Sequence, residues 1–506
     1  MEAYQQKFEQ LNGTVRVRFA PSPTGFLHIG SARTALFNYL FAKANNGIFV
    51  LRIEDTDRER SLKIYEEDIL EGLKWLGLNW DEGPEVGGDY GPYYQSQRIE
   101  IYKQYLEKLI AEDKAYRCFC TKEELTALKQ EMQSRGEVYK YNGKCLNLTK
   151  QEIENNLKEN KPFIIRLKTP AIKITFNDLI RGKITSDLSL LGDFAISRGF
   201  DEPLYNFTAA VDDYEMKITH VIRGEDHIPN TPKQIIIQQF LGFESPLYAH
   251  IPLILGPDRS KLSKRHGATS LKNYKEDGYL PEALVNFLAL LGWHSSSDRE
   301  IYSLEELSRE FSIERVQKSG AIFNINKLDW FNHFYLNKKD LNDLLPQVLG
   351  FYFKENILKP YKEEWLFESA SGEIFDKNYL FKVLNLLIER IKKLSQLVEL
   401  SDFFFKEPQY SFNLLIWKDL PKEKIKENLE KILEKIGEIE EQNFTKENLE
   451  KVISLLYKDD RGEFLWPLRA CLTGKESSPG PFEIAEILGK EKTIKRINYA
   501  LNLLEK

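Results

Sequence analysis

The sequence predicts an α/β protein built on an open, mostly parallel sheet, with an α+β insertion and a helical C-terminal third. Three observations carry that expectation. Strand-like and helix-like patterns alternate over residues 14–117 and return over 205–268. Residues 118–204 interrupt them with short alternating strands. From 269 to 335, and more fully over 336–506, apolar residues recur at helical spacing.

The first element, 14–19, alternates and is β-branched, as a strand does. A loop stiffened by Pro21 and Pro23 follows, then a helix that carries Ala32, Leu36, Tyr39 and Leu40 on one stripe. A strand, a rigid loop and a helix start aim free N–H groups and the positive end of the helix at one spot, a seat for phosphate. His28 stands at its mouth, with Ser31 just beyond. A second strand, 47–54, is almost continuously apolar and ends in Glu54-Asp55-Thr56-Asp57. Acidic groups there lie where open α/β sheets bind ligands. Helical patterns cover 61–76 and 99–112, with a Gly- and Pro-rich loop at 80–92 between them.

In the insertion, Cys118, Cys120 and Cys145 surround a charged helix over 121–135. Cys118 and Cys120 are too close for an ordinary disulfide, so a metal or plain burial fits them. Short strands follow at 163–167 and 172–176. The α/β rhythm resumes at 205–210, 220–227 and a helix over 231–241. The polar loop 261–268 then offers Lys261 and Lys264 as mobile cations, and together with the first loop it is expected to hold ATP. An apolar helix at 281–291 ends at Gly292, and Ile425, Leu429, Ile432, Leu433, Ile436 and Ile439 form an amphipathic stripe.

Composition narrows the function classes. At 506 residues there is room for several cores, and 42% hydrophobic with 29% charged residues suits buried interiors under a soluble surface. A net charge of −6 exerts no general pull on nucleic acid, so any such contact needs a local basic face. Four cysteines argue against a disulfide scaffold. No apolar run reaches the about 20 residues of a membrane span. The polar stretch 1–13, expected to be a disordered tail, lacks a signal-peptide core. The expected compartment is the cytoplasm, with no membrane partner.

Pro21-Ser22-Pro23-Thr24-Gly25-Phe26-Leu27-His28-Ile29-Gly30 resembles the first signature of class I aminoacyl-tRNA synthetases, and Lys261-Leu262-Ser263-Lys264-Arg265 resembles the second. With Arg52-Ile53-Glu54-Asp55-Thr56-Asp57, Val221-Ile222-Arg223-Gly224-Glu225-Asp226-His227 and the helical C-terminal third, residues 14–506 resemble the bacterial glutamyl-tRNA synthetases. Ser31 is a departure, because the class pattern has a second histidine there. Glutaminyl relatives share the catalytic core but carry a β-barrel anticodon region, which the helical pattern over 336–506 does not match.

The resemblance implies a Rossmann-like catalytic domain in two halves, 14–117 and 205–268, around an acceptor-end-binding insertion at 118–204. A stem-contact helical domain at 269–335 and a two-part helical anticodon-binding region at 336–506 would follow. The implied activity is that of a glutamate--tRNA ligase using ATP with Mg2+, L-glutamate and tRNA(Glu), and it admits tRNA(Gln) as a second tRNA. tRNA would be needed for productive activation, and a monomer suffices. His28, Gly30 and Ser31 would hold ATP together with Lys261, Ser263, Lys264 and Arg265. Arg18 would bind the glutamate side chain with Arg223 in the same pocket, Glu54 the ammonium, and Ser22 and Tyr205 would line the site. The alternative for Arg18 and Glu54 is a structural pair with each other. Glutamine would leave a buried arginine unpaired, at a cost of about 3–5 kcal/mol. Cys118, Cys120, Tyr141 and Cys145 would form a structural zinc (Zn2+) knuckle, with Asn147 standing where other relatives place a histidine; a metal-free version of the subdomain is the alternative. Arg390 resembles an anticodon-reading arginine, against an ordinary surface role.

Overall fold

Strands β1 (Arg16–Phe19) and β2 (Ile48–Leu51) pair in parallel, with Arg18 beside Val50. The computed structural model that contains them describes residues 14–457 and 460–505. The tail expected over 1–13 and the side chain of Lys264 lie outside that description. The region after the first sheet strands supplies β3 (Ala115–Cys118), β4 (Ile164–Leu167), β5 (Lys173–Asp178), β6 (Gly182–Asp187), β7 (Ala195–Arg198) and β8 (Glu202–Pro203). Strands β9 (His220–Gly224) and β10 (Leu247–Ile251) return to the first sheet.

The main sheet runs β2-β1-β9-β10-β5-β6. Its first five strands are parallel and β6 closes the edge antiparallel. A second, antiparallel sheet runs β3-β4-β7-β8. The β5–β6 hairpin therefore lies within the interrupting stretch of sequence but extends the main sheet. Alternation explains its docking: Ile174 and Asp178 are buried while Lys173 and Thr175 are exposed. The helix Ile29–Ala44 lies against β1, β2 and β9 and buries Ala32, Leu36 and Leu40, the stripe read from the sequence. The main core joins Val50, Phe207, Val221, Ile236 and Tyr248.

Two compact units result. One contains the residues up to Lys275 with Pro281–Leu328, and the other contains Glu276–Leu280 with the chain from Asp329. The second unit is helical, as expected, and adds a small antiparallel meander at Leu358–Pro360, Leu366–Ser369 and Ile374–Asp376. The helical pattern read over 336–506 does not foresee these strands. The helix Lys422–Gly437 buries Ile425, Leu429, Ile432 and Ile436, together with Asn428, whose amide donates to the Glu463 carbonyl at 3.2 Å.

Candidate functional site

The C-terminal ends of the parallel strands β1, β9 and β10 open on a cleft of ≈ 690 Å³. This is where open α/β sheets bind ligands, because strand ends and helix starts present unused polar groups there. Of the residues singled out from sequence, Arg18, Ser22, His28, Gly30 and Ser31 line it, as do Glu54, Tyr205, Arg223 and Lys261. Ser263 and Arg265 do not line it.

His28 caps the helix Ile29–Ala44. Its Nδ1 accepts the Gly30 N–H at 3.0 Å, and the Ile29 N–H donates to the Thr269 carbonyl at 2.8 Å. In this structure the Gly30 N–H, expected to hold phosphate, is engaged by that cap. The Ser31 N–H has no acceptor among the described residues and stays available. With Nδ1 accepting, a neutral His28 carries its proton on Nε2. Burial, and then the charge of Lys261, lower its pKa and favour that neutral form.

A buried charge network lies behind the amino-acid end. Asp213 accepts from Arg18 Nε at 3.1 Å and from Arg52 Nη1 at 2.9 Å. Arg52 also pairs with Glu54 at 3.2 Å and approaches Asp212 at 3.7 Å. Asp212 in turn accepts from Arg98, Gln95 and Tyr102 at 2.7–2.8 Å. Burial alone would raise the Asp213 carboxyl, but Arg18 and Arg52 outweigh it and hold it below the ordinary carboxylate range. At Glu54 burial wins, raising its carboxyl against the pull of Arg52 and Arg18. Arg18 and Glu54 thus do not pair with each other; each is held from behind by another residue.

Arg223 is different. Its Nη2 donates to Thr231 Oγ1 at 2.7 Å, its Nε to His250 Nε2 at 3.2 Å and its Nη1 to the Tyr205 hydroxyl at 3.4 Å. These partners are all neutral, and no carboxylate lies within ion-pair distance among the described residues, although the side chain is only 4% exposed. A guanidinium has five N–H groups, so one on each Nη remains for a ligand. Tyr205 also contacts His227 Nδ1 at 2.9 Å, and burial, followed by the charge of Arg223, brings the His227 pKa down to about 4.

The second basic stretch is anchored beneath its cations. His266 Nδ1 accepts the Ser263 N–H at 3.1 Å, and the ring packs so closely that a Cβ on Gly256 would lie 2.9 Å from it. Arg265 pairs with Asp258 at 3.1 Å, which explains why it turns away from the cleft. Lys261 reaches Asp226 at 3.1 Å on the cleft wall.

The cysteines come together as well. The Sγ atoms of Cys118, Cys120 and Cys145 all lie within 4.8 Å of one another, with Cys120 and Cys145 3.6 Å apart. The Tyr141 hydroxyl is 3.3 Å from both Cys118 and Cys120. Tetrahedral zinc with Zn–S bonds of about 2.3 Å sets its sulfurs about 3.8 Å apart, so this donor set fits. Asn147 is exposed and makes none of these contacts. The Arg166 guanidinium covers the Tyr141 ring at 3.9 Å. Burial pushes the Cys120 thiol up to about 12, whereas at Cys118 the Tyr141 and Arg166 contacts outweigh burial and lower it. In the second unit Arg390 ends the turn Ile388–Arg390 and is exposed.

Sequence reasoning missed Asp212, Asp213 and His250, and it quoted Asp226 and His227 within a motif without giving them a role. One signal was available: two adjacent carboxylates interrupt the apolar run Ala209-Ala210-Val211, and such groups need buried partners.

Residues 14–330 match the family described as tRNA synthetases class I (E and Q), catalytic domain, and residues 352–501 match an anticodon binding domain. The chain is 44% identical to glutamate--tRNA ligase 2 of Thermoanaerobacter pseudethanolicus, over 97% of this chain and 99% of that protein. It is 45% identical to a glutamate--tRNA ligase of Carboxydothermus hydrogenoformans, over 96% of this chain and 100% of that protein. A crystal structure of a glutamate tRNA ligase from Elizabethkingia meningosepticum, in complex with its amino acid, superposes with a TM-score of 0.84 at 35% identity, covering 97% of this chain and 99% of that one. With the class I catalytic-domain family matched over residues 14–330 and relatives matched almost end to end, the chain belongs to the glutamate--tRNA ligase family of class I tRNA synthetases.

Proposed function

We propose that the cleft joins L-glutamate to ATP and passes the product to tRNA(Glu). The observation that carries this reading is Arg223, a buried cation whose hydrogen-bond partners are all neutral, in one cleft with Arg18 and the N-terminus of the helix Ile29–Ala44. A substrate with one carboxylate beyond its α-amino and α-carboxyl groups matches that arrangement. Glu54 takes the ammonium, and Ser22 and Tyr205 line the pocket.

In the first step an α-carboxylate oxygen of glutamate attacks the α-phosphorus of ATP. A new P–O bond forms while the bond to pyrophosphate breaks, and pyrophosphate carries off the electron pair. Negative charge grows on phosphate oxygens, so preorganised donors lower the barrier. His28 Nε2–H and the Ser31 N–H supply them at the helix start, with Lys261 opposite. Lys264 neutralises the departing pyrophosphate, and Mg2+ enters with the nucleotide. In the second step a terminal tRNA hydroxyl attacks the acyl carbon, loses its proton and releases AMP. The interrupting stretch serves the acceptor end, and Arg390 serves the anticodon. tRNA(Gln) is a second acceptor where the anticodon region tolerates it. Cys118, Cys120, Cys145 and Tyr141 hold one structural zinc. The protein works in the cytoplasm; among the described residues no helix is long and apolar enough to cross a membrane.

The test is amino-acid-dependent ATP–pyrophosphate exchange in the presence of tRNA(Glu). Glutamate alone should support it, and Lys264→Ala should lower kcat strongly without changing the melting temperature. Equal turnover with aspartate or glutamine, or normal turnover of the Lys264 variant, contradicts the reading.

A further inference from the structure

We infer that Asp178 and His250 are positioning residues for Arg223: the turn of the β5–β6 hairpin holds the substrate-binding guanidinium through the His250 ring. The inference rests on the glutamate-activating reading above. Sheet register brings the three groups into line. His250 lies beside Arg223 in the β10–β9 pairing, and Tyr248 lies beside Asp178 in the β10–β5 pairing. Asp178 Oδ2 accepts from the His250 backbone N–H at 3.1 Å and from its ring Nδ1 at 2.6 Å. A carboxylate cannot donate, so Nδ1 carries the ring proton and Nε2 is left as an acceptor. That acceptor meets Arg223 Nε at 3.2 Å and the hydroxyl of Thr231, itself an Arg223 partner, at 3.0 Å. Burial lowers the His250 pKa, which keeps the ring neutral and Nε2 an acceptor.

The turn is itself braced. Asp178 Oδ1 accepts the N–H groups of Ile180 and Arg181 at 3.0 and 2.8 Å. Arg181 returns to the His250 carbonyl at 3.3 Å and pairs with Glu225 at 2.5 Å. Glu225 accepts the Leu253 N–H at 2.7 Å, just past the end of β10. The hairpin thus grips both strand ends that floor the cleft. His250 and Asp178 are almost wholly buried, at 0% and 2% exposure. Apolar side chains of similar volume would pack there at less desolvation cost. The polar chain makes sense as a device that fixes the direction of Arg223.

The experiment measures glutamate and ATP dependence of activation, with tRNA(Glu) present, for His250→Leu, His250→Gln and Asp178→Asn, alone and combined with Arg223→Gln. His250→Leu should raise the glutamate KM about 10- to 100-fold, the worth of one hydrogen bond to a charged group. The ATP KM should stay within about twofold of the parent. Asp178→Asn should act alike, because a carboxamide has one acceptor oxygen where the two Asp178 oxygens now serve the ring and three backbone N–H groups, so the His250 ring loses its fixed support. His250→Gln, whose amide oxygen offers Arg223 an acceptor, should retain more glutamate affinity than His250→Leu. With Arg223→Gln in place, His250→Leu should add less than about twofold. Equal rises in both KM values, or full additivity with Arg223→Gln, overturn the inference. Should His250→Leu fail to fold, Asp178→Asn and His250→Gln, which conserve size and polarity, carry the same comparison. If the parent protein activates no glutamate, the functional reading falls first and this inference falls with it.

Discussion

Arg223→Gln isolates the group that should distinguish glutamate from glutamine. Arg18 is already answered by Asp213 at 3.1 Å, so its charge is largely satisfied before substrate arrives. Arg223 touches a hydroxyl of threonine, a hydroxyl of tyrosine and a neutral imidazole, and only the ring of His250 connects it to Asp178. Its charge is therefore largely reserved for a ligand. At a separation of about 4 Å and an effective dielectric of about 20, a carboxylate gains about 4 kcal/mol from it. Truncating one partner of a buried pair costs about 3–5 kcal/mol, in agreement. At about 1.4 kcal/mol per tenfold, kcat/KM for glutamate should fall about 10²- to 10³-fold. Glutamine carries no side-chain charge and should lose far less, so the ratio between the two amino acids should narrow. Pyrophosphate exchange with each amino acid, with tRNA(Glu) present, measures both numbers. An equal loss for glutamate and glutamine would refute the assignment of charge recognition to Arg223.

Two further outcomes follow from the donor sets. The purified chain should carry one zinc per molecule by elemental analysis; Cys145→Ser should lose it and melt at lower temperature, and a metal-free parent of unchanged stability would count against the site. The burial that lowers the pKa of His28, His227 and His250 also sets a pH dependence. Unfolded histidines titrate near about 6.5. Below that the unfolded chain binds protons that these folded histidines refuse, so stability should fall as pH drops from about 6.5 toward 4. Urea melts at about pH 7.5 and 5 test this, and a flat free energy between them contradicts it.

Much of the site was legible because ligand-facing residues sit in local motifs. The run from Arg18 to Ser31 is a strand end, a loop and a helix start, and local geometry alone turns it toward one point. The same locality sets up a competition at Gly30: His28, two residues back, accepts that N–H at 3.0 Å, and no spacing rule says whether a side chain or a ligand takes the donor. The helical stripe at 425–436 was readable for its period, whereas Asn428 within it was not, since its partner is a carbonyl 35 residues away.

What could not be read is the layer that holds the motif residues in place. Asp213 lies 195 residues from Arg18, and Asp178 lies 72 from His250. No spacing rule connects such pairs; the sheet order brings them together, and that order is a tertiary outcome. The two arginines of the pocket show why this layer matters chemically. In sequence they are equivalent, each in a buried strand of the same sheet. In the fold one is met by a carboxylate and the other by an imidazole, so one arrives neutralised and the other arrives asking for an anion. How much charge each arginine keeps for a ligand therefore rests on Asp213 and His250, residues that belong to no motif that touches the substrate.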